Sequence, residues 1–137
     1  MAKIIGEVYK KGNSTVIETV SKPSTEIASG LAVEITGGVP AMVNTGVAYA
    51  VSGRNTDKTM DLIRTGLEVC VQVNDVSITI GDAVYIDKTT HKFTNVSASN
   101  VAVNAVFVSA KEDCDLVATN GSVSSVKGAL IDIAGGL

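Results

Sequence analysis

The stretch TIGDAVYIDKTTHKFTN, residues 79–95, carries the chain's one histidine, His91, close behind two aspartates, Asp82 and Asp87. Imidazole and carboxylate together are the material of a metal site or of an acid–base pair. A metal ion needs several donors that converge, and one His with two Asp at these spacings matches no recognised ligand set. Nucleophilic or acid–base chemistry would need a nucleophile or a second orienting group beside His91. The nearby Thr89, Thr90 and Thr94 are better accounted for by strand propensity and turn chemistry. Asp and Thr recur in polar connections because their side chains bond neighbouring backbone groups. The stretch therefore reads as a hairpin. Val84 and Ile86 share one face, Ala83 and Tyr85 the other, and DKTTHK links them to a returning strand with His91 at its mouth.

Other candidate chemistry fares no better. Cys70 and Cys114 stand singly in apolar surroundings without CxxC spacing or a local basic activator. They read as reduced core residues of a protein made in the cytosol, a disulfide being the less favoured alternative. TNGSVSSVKG, residues 119–128, has the look of a phosphate-binding loop but lacks the Gly-Lys-Ser/Thr ending and a following helix, so a turn leading into a strand fits it. GRNTDK offers Asn55 and Asp57 to calcium, without the spacing or the later Glu of an EF-hand loop. Asp113 and Asp115 read as exposed loop charges. No catalytic, cofactor or metal residue is assigned, and the chain is not read as an enzyme.

The elements that hold these residues follow from composition. At 137 residues the chain is long enough for one domain with its own core. Hydrophobic residues make up 45% and charged residues only 18%, which favours a well-buried globular chain over a disordered one. Val and Ile dominate, Trp is absent, and 13 Gly punctuate the sequence, an all-β composition. The net charge of −3 lacks the basic footprint that phosphates require, so no nucleic-acid partner is expected. MAKIIGEVYKK has no long apolar core, and no apolar run approaches a membrane span, so neither a signal peptide nor a membrane is expected.

Along the chain, KIIGEVYKKGN alternates weakly and turns at Gly12-Asn13, and STVIETV (14–20) alternates as a strand. SKPSTEIASG reads as a loop in which Pro23 removes a ladder donor, either a plain connection or a reaching arm. LAVEI, VPAMV and VAYAVS follow as short strands, ended by turns at Thr36-Gly37-Gly38, Asn44-Thr45-Gly46 and Gly53-Arg54-Asn55 respectively. In NTDKTMDLIRTGLEVCVQV the expectation is two strands, TMDLIR and LEVCVQV, with a turn at Thr65-Gly66; a short helix is the alternative. VSITI, AVYID, HKFTN, AVNAVFVSA, CDLVA and VKGALIDI complete the set, with Lys111-Glu112-Asp113 in a solvated loop. Residues 1–30 are expected to form an N-terminal arm and first strand, and residues 31–137 the β domain.

From about Gly30 the order GVAYAVSG, RTGLEVCVQV, ITIGDAVYIDKTTHKFTN, NAVFVSA and GALIDI resembles the small cement, or head-decoration, proteins of tailed bacteriophages. Gly81, Asp82, Val84, Tyr85, Asp87, Phe93 and Thr94 carry the likeness, with Gly66 and Glu68 ahead of them. TMDLIR departs from the strand found there in family members, and the first thirty residues match nothing in it. The resemblance implies a compact small β-barrel or sandwich, β-tulip-like, of short antiparallel strands with an N-terminal arm. It also implies a homotrimer that binds the major capsid protein on the outside of the assembled head, staples neighbouring subunits, and needs no cofactor.

A cement protein needs a rigid body and a segment able to pair with a neighbour. AKIIGEVY is suited to adding a strand to a partner's sheet edge. Ile4, Ile5, Val8 and Tyr9 are the apolar anchors of that reading. An equally simple one makes them an ordinary edge strand of the same domain. The competing function is a non-enzymatic ligand-binding β module of the carbohydrate-binding or adhesin kind, against which stands an aromatic content of only 4%.

Overall fold

The computed structural model describes residues 2–12, 15–43 and 47–137. Among them are eleven strands and no helix, and the strands form one large antiparallel sheet that does not close on itself. The expected turns at Asn13 and at Asn44-Thr45-Gly46 lie outside the described residues.

The strands are β1 (Val8–Lys10), β2 (Val16–Ser21), β3 (Ala32–Thr36), β4 (Val39–Met42), β5 (Ala50–Asn55) and β6 (Thr59–Gln72). They continue as β7 (Ala83–Ile86), β8 (Phe93–Thr94), β9 (Val101–Phe107), β10 (Glu112–Val117) and β11 (Val123–Ile133). The order across the sheet is β4-β3-β5-β6-β11-β9-β7-β8, with β1 and β2 also on β6 and β10 on β11. The first half of β6 holds β2 on one side and β5 on the other, while its second half holds β1 and β11.

The turn expected at Gly53-Arg54-Asn55 is instead the end of β5, which pairs as far as Asn55 with Met60, and the turn expected at Thr65-Gly66 is not formed. TMDLIR and LEVCVQV are one 14-residue strand that runs straight through. Ile131 pairs with Val69 and Ile133 with Gly66, so β6 carries one residue more than β11 between those pairs. The extra residue is accommodated as a bulge, with Glu68 at φ +52° and its N–H donated to Asp132 Oδ1 at 2.8 Å. A glycine in an alternating run marks such a bulge as readily as a turn.

VSITI is not a strand either. Asp82 N–H bonds the Thr79 carbonyl, and Asp82 Oδ2 accepts the Thr79 N–H at 2.9 Å. This local turn satisfies the backbone that a ladder would have used. Ile78 is buried and Ile80 is 68% exposed. The Lys111-Glu112-Asp113 cluster, expected in a loop, instead opens β10. Lys111 pairs with Asp75 and Asp113 with Lys127, each at 2.6 Å.

The largest core cluster gathers β6, β7, β8, β9 and β11 around Phe93 and Phe107, both fully buried. A second cluster packs Ile27 and Leu31 on Val33, Ala50, Met60 and Leu62. The connection from β2 to β3 packs onto the sheet. Ser52 Oγ accepts the Leu31 N–H at 3.0 Å and donates to the Ala28 carbonyl at 2.6 Å, and Gln72 Nε2 donates to the Ser29 carbonyl at 2.8 Å. A third, smaller cluster joins Ile5, Cys70, Cys114 and Leu130.

Candidate interaction surface

Asp82, Asp87 and His91 of the opening stretch each have a structural partner. Asp87 Oδ1 accepts the N–H groups of Thr89 and Thr90 at 2.8 and 3.2 Å, and its Oδ2 accepts Asn74 Nδ2 at 2.9 Å. Asp82 Oδ2 takes Asn95 Nδ2 as well as the Thr79 N–H. His91 sits at φ +63° with Nδ1 3.0 Å from the Val43 carbonyl oxygen. A carbonyl only accepts, so Nδ1 carries the hydrogen. The two aspartates cap opposite ends of the β7–β8 hairpin, and the histidine ties its tip to the chain beyond β4. Among the described residues no three His, Cys, Asp or Glu side chains are gathered as a metal site requires.

The hydrogen bonds from Asn95 and Thr79 hold the Asp82 carboxyl below the usual carboxylate range, and those from Asn74, Thr89 and Thr90 do the same for Asp87. A depressed native pKa favours the folded state wherever the carboxylate is ionised. That contribution is complete above the unfolded value of about 4 and is lost as the pH falls through the lower folded value. The urea midpoint is therefore expected to drop between about pH 5 and pH 3. The double variant Asp82→Asn/Asp87→Asn is expected to show a flatter profile over that window. An identical slope would remove these two turns from the acid response.

The other candidates are equally committed to structure. Asn55 Nδ2 donates to the Ile27 carbonyl at 2.7 Å, and Thr56 Oγ1 receives the Lys58 and Thr59 N–H groups, so GRNTDK is the end of β5 and its tight turn into β6. Residues 118–122 form the turn between β10 and β11. Cys70 and Cys114 are fully buried with free thiols, their Sγ atoms 3.7 Å apart, and burial pushes both thiols up. Neighbouring in space, they are 44 positions apart in the chain.

The four N-terminal apolar residues separate into two pairs. Ile5 and Val8 are 3% and 7% exposed and belong to the core, whereas Ile4 and Tyr9 are 39% and 43% exposed. The segment bearing them is a strap across two strands. Asp115 N–H bonds the Lys3 carbonyl and Ile5 N–H the Asp115 carbonyl; Gly6 N–H bonds the Cys70 carbonyl and Cys70 N–H the Glu7 carbonyl. The Tyr9 hydroxyl accepts the Ile4 N–H at 2.7 Å, bringing the two exposed side chains together. Ile4 also lines a cavity of about 210 Å³ with Arg54, Val117 and Thr119. The sequence pattern did not give this pairing, because the strap's partners lie 60 to 110 positions further along.

A second exposed apolar area lies between the free edges of β2 and β4, a groove of about 500 Å³ lined by Val20, Pro23, Ile35, Val39, Pro40 and Tyr49. At its wall the Tyr49 hydroxyl donates to Glu18 Oε1 at 2.8 Å, and the Arg64 guanidinium lies 4.2 Å over the Tyr49 ring.

A sequence profile described as phage cement protein matches residues 10–125. The chain belongs to the phage cement protein family. No curated protein and no solved structure gives a significant match. The family is a structural one, and this cement protein has a capsid-stabilising role on the outside of the phage head. The matched region takes in residues 10–30, which the sequence resemblance had left unplaced, and stops before the end of β11. The strap of the cement protein, Lys3–Tyr9, precedes the matched residues.

Proposed function

We propose that this cement protein bridges neighbouring major capsid protein subunits on the outer face of the assembled head, acting as a homotrimer. Ile4 and Tyr9 make the contact, and Ile5 and Val8 hold them in place from beneath. The observation that carries this reading is the strap: two apolar side chains, each about two-fifths exposed, on a segment hydrogen-bonded to both β6 and β10. A rigidly presented aromatic beside an aliphatic side chain is the composition of an interface anchor. A protein that binds the assembled shell and not free subunits stabilises the shell by mass action. Three copies of the contact in one trimer would multiply the effect through avidity.

The test is to mix the purified protein with expanded, undecorated heads and sediment them. The unmodified protein is expected to co-sediment. Ile4→Asp and Tyr9→Ala are each expected to weaken binding about tenfold, as loss of an interface anchor does, while leaving the thermal midpoint nearly unchanged. Full binding by both variants would move the contact elsewhere, and binding to a glycan array without binding to heads would replace the capsid reading altogether. Light scattering tests the trimer separately, a monomer mass being the adverse result.

A further inference from the structure

The third core cluster has an unusual composition for so small a space: two thiols, Ile5 and Leu130. Cys70 is on β6 and Cys114 on β10, strands that do not pair with each other. β11 joins them, bonding β10 with its first half and β6 with its second, and Gly128 is the residue paired to both, opposite Glu112 and Gln72. A Cβ at Gly128 would lie 2.7 Å from Cys114 Sγ and 2.8 Å from Ile5 Cδ1. The space of the missing side chain is taken up by Cys114 and Ile5, and from it Cys114 Sγ stands 3.7 Å from Cys70 Sγ. This is van der Waals contact; because β6 and β10 flank β11, closing it to a disulfide bond of about 2 Å draws those strands together as well as the sulfurs.

The strap lies over this pair. Its backbone bonds are to Cys70 itself and to Asp115, the residue after Cys114, and Ile5 fills the remaining side of the cluster. Both thiols have zero exposure while the strap is docked.

We propose that Cys70 and Cys114 are a latent cross-link site, which a small disulfide oxidant converts to an intrachain disulfide when the strap lifts. One cysteine thiolate attacks the oxidant, taking one of its sulfurs into a mixed disulfide and releasing the other as a thiol. The second cysteine thiolate then attacks the protein-side sulfur and expels the remaining thiol. Two protons and two electrons leave the protein, and the oxidant departs as two thiols. The product ties β6 to β10 covalently and holds them beneath the strap. Nothing in this step depends on the capsid, so its outcome and that of head binding are separate.

The experiment uses the full chain incubated with glutathione disulfide and followed by intact mass and by thiol titration with and without denaturant. The expected product has lost two hydrogens, has no titratable thiol even when unfolded, and yields a Cys70–Cys114 peptide on digestion. Its thermal midpoint is expected to rise by about 10 °C, since the bond closes a long loop, and to return on treatment with dithiothreitol. Cys114→Ala, under the same conditions, should show neither the mass loss nor the rise. If that variant does not fold, the peptide map of the unmodified chain decides alone. A stable glutathione adduct, a disulfide-linked dimer, two unreacted thiols, or a bond that leaves the midpoint unmoved would each overturn the proposal.

Discussion

Phe107→Ala is expected to lower the unfolding free energy by about 4 kcal/mol. Phe107 closes β9, is fully buried, and stands opposite Ile131 on β11. Its backbone is fixed independently of its ring, the N–H donating to the Asp82 carbonyl at 3.0 Å and the carbonyl accepting the Gly81 N–H at 2.8 Å. The strand end therefore cannot slide inward to fill the void, and the cost stays well within the range for such truncations. Phe107→Leu keeps most of the volume and is expected to lose about 1.5 kcal/mol or less. Equilibrium urea unfolding measures both, with an unchanged denaturant slope showing that the unfolded state is unaltered. A loss below about 2 kcal/mol for the alanine variant would mean that this part of the core collapses readily.

The second large effect is expected at Gly30. Its φ of +77° is one that side-chain-bearing residues adopt at a cost of about 1–2 kcal/mol. A Cβ there would stand 2.2 Å from Ile5 Cγ2 and 3.0 Å from the Gln72 backbone nitrogen. Neither neighbour yields easily, because the Gln72 N–H is bonded to the Gly30 carbonyl at 2.9 Å and Ile5 is held by the strap. The Gly30 N–H is itself bonded to the Ser52 carbonyl at 2.6 Å, so the loop cannot retreat without breaking a second contact. Gly30→Ala is expected to cost about 3 kcal/mol, the conformational term plus overpacking. A double-mutant cycle separates the two. Ile5→Ala removes the nearest clashing carbon, so the pair should cost at least about 0.5 kcal/mol less than the sum of the single variants. Strict additivity would leave the backbone angle as the whole effect.

Where two-residue alternation and turn chemistry act over a few neighbours, the sequence is a good guide. LAVEI, AVYID and AVNAVFVSA contain or overlap strands, and Asp82 and Asp87 serve turns as their residue types and positions suggest. The errors arise where distant partners decide. Thr65-Gly66 has the local character of a turn, but β2 and β5 before it and β1 and β11 after it hold the chain extended, leaving the glycine to absorb a bulge. VSITI has the composition of a strand and loses to a side-chain cap three residues away. The surface was half legible. KIIGEVY shows four apolar residues, and only their pairing with β6 and β10 settles that Ile5 and Val8 face inward and Ile4 and Tyr9 outward. The meeting of the two cysteines has no local signal at all, since Cys114 reaches Cys70 from a space left by the absent side chain of Gly128 on a third strand.

The uninterrupted course of β6 has a mechanical consequence. Its 14 residues span roughly 45 Å of extended chain; β1, β2, β5 and β11 are bonded to it directly, and β3, β9 and β10 to those neighbours. A tug on the region of β2 and β5 reaches the region of β1 and β11 along covalent bonds in line with the pull. Hydrogen bonds beside that line are loaded lengthwise and share the force, where a sheet peeled from one end would break them singly. A molecule seated on the outside of a phage head thereby gains stiffness along one axis without closure into a barrel.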